Sequence, residues 1–155
     1  MARHLFLTLG AQNNVPGSVE KSVSAMRGFL SSRKLDFPEL ILENGAGLSR
    51  VERISPRHLG TLLNAAYRSP VFAEFESSLP IVAVDGTMKK RLSEKDVAGH
   101  AHIKTGSLEG VRAAAGYVFD GKGRRVAVVC VVNHPNAAAA KVVEDALLEW
   151  VYGRK

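Results

Sequence analysis

The residues best equipped for chemistry are Lys104-Thr105-Gly106-Ser107. An ammonium and a hydroxyl in sequence can hold a carboxylate by charge-assisted hydrogen bonds. The glycine has no side chain to block the close approach of a ligand. The backbone N–H of the next residue can point at a developing oxyanion. All of this requires an extended segment on a free sheet edge beside a cleft, where a peptide binds by adding a strand. The Lys-Thr-Gly tripeptide alone arises by chance in roughly one chain of this length in thirty at average composition. A surface strand bearing a lysine is therefore the competing reading.

Other candidates have plainer explanations. Ser18-Val19-Glu20-Lys21 and Ser31-Ser32-Arg33-Lys34 both fit S-x-x-K, the pattern of a serine nucleophile with its lysine. Ser18, however, follows Pro16-Gly17 and is well placed to cap a helix, which explains it fully. His100 and His102 would need further ligands to hold zinc, and Cys130 and His134 supply no recognised spacing. Neither metal nor cofactor is called for. Cys130, inside an apolar run, reads as a core residue. Asp85 before Gly86 reads as a turn residue, and Arg112 and Glu109 as a surface pair.

Composition sets the frame. The chain has 155 residues, 46% hydrophobic and 23% charged, which is enough for a sizeable core in one domain. The net charge of +6 comes in short groups, Lys89-Lys90-Arg91, Arg124-Arg125 and Arg154-Lys155, without interleaved aromatics. That pattern favours solvated surface charge over a nucleic-acid interface. One cysteine permits no internal disulfide. No apolar stretch reaches the length of a membrane span, and no signal peptide is evident after Met1.

Positioning falls to elements readable from spacing. Arg3 to Gly10 reads as the end of a helix, with Gly10 as its stop. Val19, Val23, Met26 and Leu30 form one helical face behind Ser18. Leu40-Ile41-Leu42 is a short strand candidate before the Asn44–Gly47 loop. Ser55-Pro56 opens a helix through Leu59, Leu62, Leu63 and Ala66, and Val71 to Ser78 a short one. The pattern then changes to three strands, His102–Leu108, Val111–Phe119 and Arg125–Val132. Asp120-Gly121 marks the hairpin between the last two. Val126 to Val132 is apolar throughout, which predicts cover on both faces. A helix from Asn136, its expected cap, to Tyr152 ends the chain, with Val142, Val143, Ala146, Leu147, Trp150 and Val151 on one side. The expected architecture is α/β (α+β), an antiparallel sheet flanked by helices. It is read as a single domain, 1–95 mainly helical and 96–155 three antiparallel strands plus the C-terminal helix.

Three segments, in order, resemble the penicillin-binding D-alanyl-D-alanine carboxypeptidases of the low-molecular-mass class C type, the S13 peptidase family. Asn44-Gly45-Ala46-Gly47-Leu48-Ser49-Arg50 with Ile54-Ser55-Pro56 is similar to the family's D-G-S-G-L-S-R and (I/L)-(S/T)-P. Asn44 and Ala46 depart from that pattern, at positions that are not catalytic in the family. Leu79-Pro80, Asp85-Gly86-Thr87-Met88 and Arg91 look like L-P…G-T-(L/M)…R. Gly99, Lys104-Thr105-Gly106-Ser107-Leu108, Gly110-Val111 and Ala115-Gly116-Tyr117 are close to A-K-T-G-(S/T)-L-x-G-V…G-Y. Lys-Thr-Gly is one of the three signatures of penicillin-binding proteins.

The resemblance implies part of the penicillin-recognising β-lactamase/transpeptidase-like fold and a serine-type acyl transfer in the periplasm. The substrate would be a peptidoglycan stem peptide, with β-lactams acylating the same serine. Lys104 and Thr105 would bind the terminal carboxylate, Gly106 would admit the ligand, and the Ser107 N–H would serve the oxyanion hole. The family's nucleophilic S-x-x-K and its S-x-N both lie upstream of the matching segments, and no Ser-x-Asn occurs here. The chain therefore reads as a C-terminal part, inactive alone, with the missing N-terminal part or a second copy as a partner. A non-catalytic module binding peptidoglycan peptides is the alternative, and a nucleic-acid binder the remote one.

Overall fold

The computed structural model describes residues 1–11 and 15–155, which form two compact units, Met1–His58 and Leu59–Lys155. The first begins with α1 (Ala2–Leu9), stopped at Gly10, and continues with α2 (Val19–Ser32). Ser18 caps α2: its side chain accepts the Lys21 N–H at 3.3 Å. Phe6, Leu30, Phe37 and Leu40 are buried in this unit. The strand expected at Leu40-Ile41-Leu42 is reduced to a single bridge between Ile41 and Arg53. The loop that follows is organised by a carboxylate instead. Glu52 Oε1 accepts the N–H groups of Glu43, Asn44 and Gly45 at 3.0, 2.8 and 3.2 Å. Ser55 caps α3 (Pro56–Tyr67) by accepting the His58 N–H, with Pro56 at the first helical position.

The second unit contains the rest of α3, α4 (Phe72–Ser77), and a sheet of β1 (Ala101–Leu108), β2 (Val111–Phe119) and β3 (Arg125–Asn133). The strands are antiparallel in the order β1-β2-β3, with Ile103 opposite Gly116 and Ala114 opposite Cys130. The β2–β3 turn is tied by Asp120, which accepts from the Lys122 and Arg124 N–H groups and from Arg124 Nε. Side chains alternate between faces. Ala101, Ile103, Ala114, Val118 and Val128 meet Val82, Met88, Val97, Leu148 and Val151 in the main core. Tyr117 points to the other face, where its hydroxyl donates to the Leu63 carbonyl at 2.6 Å.

Several expectations are corrected. In β3 only Val128 is fully buried and the other apolar residues are half-buried, because β3 is an edge strand among the described residues. Asn136 makes no side-chain cap; a tight 3-10 turn, Ala137–Ala140, comes first, and α5 runs Lys141–Tyr152. Alanines suit such a turn, in which side chains eclipse. The buried side of α5 is Glu144, Leu148 and Val151, while Val142, Val143 and Trp150 are exposed. Two arginines turn the helix that way. Arg91 Nη2 and Arg112 Nε reach Glu144 Oε2 at 3.0 and 2.9 Å. Arg112 is thus bound to a buried acid, and Arg91 is buried with it rather than belonging to a solvated cluster.

Candidate functional site

Strand β1 forms one edge of the sheet. In an antiparallel ladder, alternate residues bond to the neighbouring strand and the rest point away from it. The Phe119 N–H donates to the His100 carbonyl, so even-numbered positions face β2. Ile103 donates outward to the Pro80 carbonyl, and the Ala101 carbonyl accepts from Val82. The segment around Pro80–Val82 thereby covers the first half of the outer edge. Beyond it, Thr105 and Ser107 are the next outward-facing positions, and among the described residues no backbone group pairs with their N–H groups.

The predicted residues are therefore brought together on an extended, partly open edge. Lys104, Gly106 and Ser107 are exposed and Thr105 is half-buried. Lys104 starts on the face opposite Thr105, yet its ammonium donates to the Thr105 carbonyl, which points off the edge. Lysine charge and outward backbone thus meet at one place. At Gly106 an added Cβ would make only an ordinary contact, 3.7 Å from the Ala113 Cβ. The chain's own packing does not demand that glycine, and its open side is left clear for whatever approaches. Such an edge offers one cation, the hydroxyls of Thr105 and Ser107, and outward N–H groups, a set suited to a carboxylate and a peptide backbone.

Spacing alone missed what stands behind this edge. Thr87 lies in a 3-10 turn, Gly86–Met88, and its hydroxyl is 2.7 Å from that of Thr105. Asp85 is a turn residue, as expected, its Oδ1 accepting the Ile81 N–H at 2.6 Å. Four residues after Thr87, Arg91 enters the cluster with Glu144 and Asp145 on α5 and, through Glu144, Arg112 on β2. The sequence signal for Thr87 was its place in the G-T-(L/M) match. Nothing in spacing paired it with Thr105.

The remaining candidates are accounted for locally. Lys21 Nζ donates to the Pro16 carbonyl while Ser18 serves as cap, so this S-x-x-K match is helix architecture. Lys34 has a left-handed backbone, φ 57°, beyond the end of α2, and so does not share a helix with Ser31. His100 packs on Tyr152, whereas His102 bonds the Glu76 carbonyl through Nδ1 and packs on Phe119. Cys130 is half-buried, and burial foremost, with the Glu144 charge, pushes its thiol pKa up, away from the reactive thiolate.

Comparison with known proteins decides where this edge belongs. Residues 1–152 match the D-Ala-D-Ala carboxypeptidase 3 (S13) family. The chain belongs to that family. It is 30% identical over 120 residues to the D-alanyl-D-alanine carboxypeptidase DacB of Haemophilus influenzae, covering 76% of this chain and 25% of the relative. It is 28% identical over 151 residues to a D-alanyl-D-alanine carboxypeptidase of an Actinomadura strain, covering 94% and 28%. The chain thus spans about a quarter of the length of these curated S13 relatives. A crystal structure of penicillin binding protein 4 from H. influenzae, in complex with a β-lactam, superposes with a TM-score of 0.83 at 25% identity over 96% of this chain and 38% of that one. The helices and three-stranded antiparallel sheet are those of the penicillin-binding fold. Among the described residues of this S13 chain, no helix is long and apolar enough to cross a membrane.

Proposed function

We propose that this chain is the C-terminal part of a serine-type D-alanyl-D-alanine carboxypeptidase or endopeptidase that acts on peptidoglycan peptides in the periplasm. The observation that carries the reading is the open end of β1, where the Lys104 ammonium lies beside the outward backbone of Thr105 in a chain of the S13 family. In this role Lys104 and Thr105 hold the terminal carboxylate of the stem peptide. Gly106 lets its backbone lie close, and the Ser107 N–H stabilises the oxyanion that forms when a serine attacks the D-Ala-D-Ala bond. The attacking serine, its lysine and the S-x-N residues come from outside these 155 residues. The two S-x-x-K matches within them support no nucleophile, since Ser18 is a cap and Lys34 lies beyond the helix that holds Ser31. The β-lactam complex of the H. influenzae relative supports acylation as the chemistry of the assembled site. The half-buried valines of β3, at the sheet's other edge, support a further strand or a second copy there.

The chain by itself is expected to bind without turning over. Incubation with a fluorescent β-lactam, followed by denaturing electrophoresis, should show no labelled band. A stable adduct would mean that a serine in this chain is competent. Calorimetry with a peptide ending in D-Ala-D-Ala should show weak reversible binding that becomes weaker still, but measurable, when the terminal carboxylate is amidated. Binding that ignores the amidation would remove the proposed roles of Lys104 and Thr105. The same pair of results, binding without an adduct, also describes a non-catalytic peptide-binding module. Co-expression with the N-terminal part of a family member separates the two, because only a piece of an enzyme should regain β-lactam labelling.

A further inference from the structure

We infer that Thr87 is a positioning residue for Thr105: its hydroxyl donates to the Thr105 oxygen and so leaves the Thr105 proton free for a carboxylate at the strand edge. The inference rests on the carboxylate-binding reading of β1 and goes one step past it. The two hydroxyl oxygens are 2.7 Å apart, an ordinary O–H···O separation. Each hydroxyl has one proton and two acceptor positions. If Thr105 donated to Thr87, it would offer only lone pairs to an incoming carboxylate, which itself only accepts. The opposite direction makes Thr105 an outward donor, and Thr87 is the group placed to supply that bond. A valine at position 87 would fill similar space and could not.

The fold holds Thr87 firmly without needing its hydroxyl for packing. Gly86 has φ +51°, and a Cβ there would come within 3.0 Å of the Pro80 side chain, so the turn runs tight against that ring. On its other side Met88 is fully buried in the main core. The Ala83 N–H donates to the Met88 carbonyl at 3.1 Å, and Asp85 closes the same loop onto Ile81. Arg91, three residues after Met88, is held by Glu144 and Asp145. Thr87 itself is exposed, where a polar side chain is ordinary, so its role rests on the 2.7 Å hydroxyl pair with Thr105.

The test is a titration of the chain with a peptide ending in D-Ala-D-Ala and with its C-terminal amide. The chains compared are the unaltered one, Thr87→Val, Thr87→Ser, Thr105→Val and the double valine variant. Thr87→Val should weaken carboxylate binding about three- to tenfold, the worth of one net hydrogen bond. It should leave amide binding unchanged. Thr87→Ser should restore affinity, and the double variant should bind no more weakly than Thr105→Val alone. An equal loss for both peptides, or additive losses in the double variant, would overturn the positioning role. Failure of the unaltered chain to prefer the carboxylate would instead overturn the underlying reading. Thr87 is then judged from ligand-free NMR. Thr105 resonances moved by Thr87→Val and restored by Thr87→Ser uphold the hydroxyl pair, and resonances that do not move refute it.

Discussion

At the scale of single residues, Tyr117 shows how a motif position also serves the scaffold. It lies in the Ala115-Gly116-Tyr117 match, yet its hydroxyl points away from the β1 edge and donates to the Leu63 carbonyl at 2.6 Å. Phe72 and Phe75 meet its ring edge-on. Burial, aided by the nearby Glu76 charge, pushes its pKa up to about 12, so it remains a donor at any ordinary pH. Tyr117→Phe should therefore cost about 0.5–1.5 kcal/mol, the net worth of one hydrogen bond, because the Leu63 carbonyl keeps its helical partner in α3. Urea unfolding should show a lower midpoint at unchanged slope; an unchanged midpoint would mean that water replaces the hydroxyl. Asn44 illustrates a tolerated departure from the family pattern. Its Oδ1 accepts the Ala46 N–H at 2.7 Å and its Nδ2 donates to the Leu48 carbonyl at 3.1 Å, so both ends of the amide serve the turn.

At the scale of elements, the link between α5, β2 and the loop of Thr87 is ionic at its centre. Glu144 is 1% exposed and receives Arg91 and Arg112, while Asp145 takes Arg91 as well. Arg91 Nη1 and Glu144 Oε1 have no partner among the described residues. Such a cluster is weak evidence of net stability, but removing its only fully buried acid takes the Glu144 partner from Arg112 and leaves the buried Arg91 with Asp145 as its remaining acid. Glu144→Ala should cost about 3–5 kcal/mol, a large share of the stability of an ordinary domain. Denaturant titration followed by circular dichroism measures it, and a loss below about 1 kcal/mol would mean that the arginines simply turn to solvent. The β1–β2 pairing has its own constraint at Gly116. Its φ is +155°, and an added Cβ would fall 1.9 Å from the His102 carbonyl oxygen. No other residue lets β2 pass so close to the strand that carries Lys104.

For the whole molecule, several carboxylates are held ionised by local donors, and that sets the response to acid. In the first unit, Glu39 is lowered from near 4.5 to about 2, chiefly by the Ser55 side chain and then by the Ser55 backbone N–H. Desolvation pushes Glu52 up, yet the N–H groups of its loop outweigh it and leave it low. In the second unit, Asp120 is lowered mainly by the Arg124 side chain. A lowered folded pKa means that the unfolded chain takes up protons first. The stabilisation is thus complete above the ordinary carboxylate range and disappears as the pH falls through the folded values. Melting temperature should drop between about pH 4.5 and about pH 2, the interval of Glu39. Glu39→Gln should flatten that part of the curve. An unaltered slope in the variant would shift the acid response to the other carboxylates.

Much of the architecture followed from local rules. Ser18 and Ser55-Pro56 start their helices where a hydroxyl acceptor and a ring-fixed φ dictate, and Asp120-Gly121 marks the turn into β3. Ordered motifs placed Lys104-Thr105-Gly106-Ser107 on a strand and pointed to the S13 family, because types and spacing along the chain are enough for that. Contacts between distant residues were not legible. Glu144 faces inward against the apolar pattern of α5 because Arg91 and Arg112, 53 and 32 residues earlier, meet it there. The pairing of Thr87 with Thr105, and the half-covered outer edge of β1, likewise exist only once the Pro80–Met88 loop has folded back along the strand. Periodicity reports which face is apolar; it carries no information about which distant charge or hydroxyl the fold brings to that face.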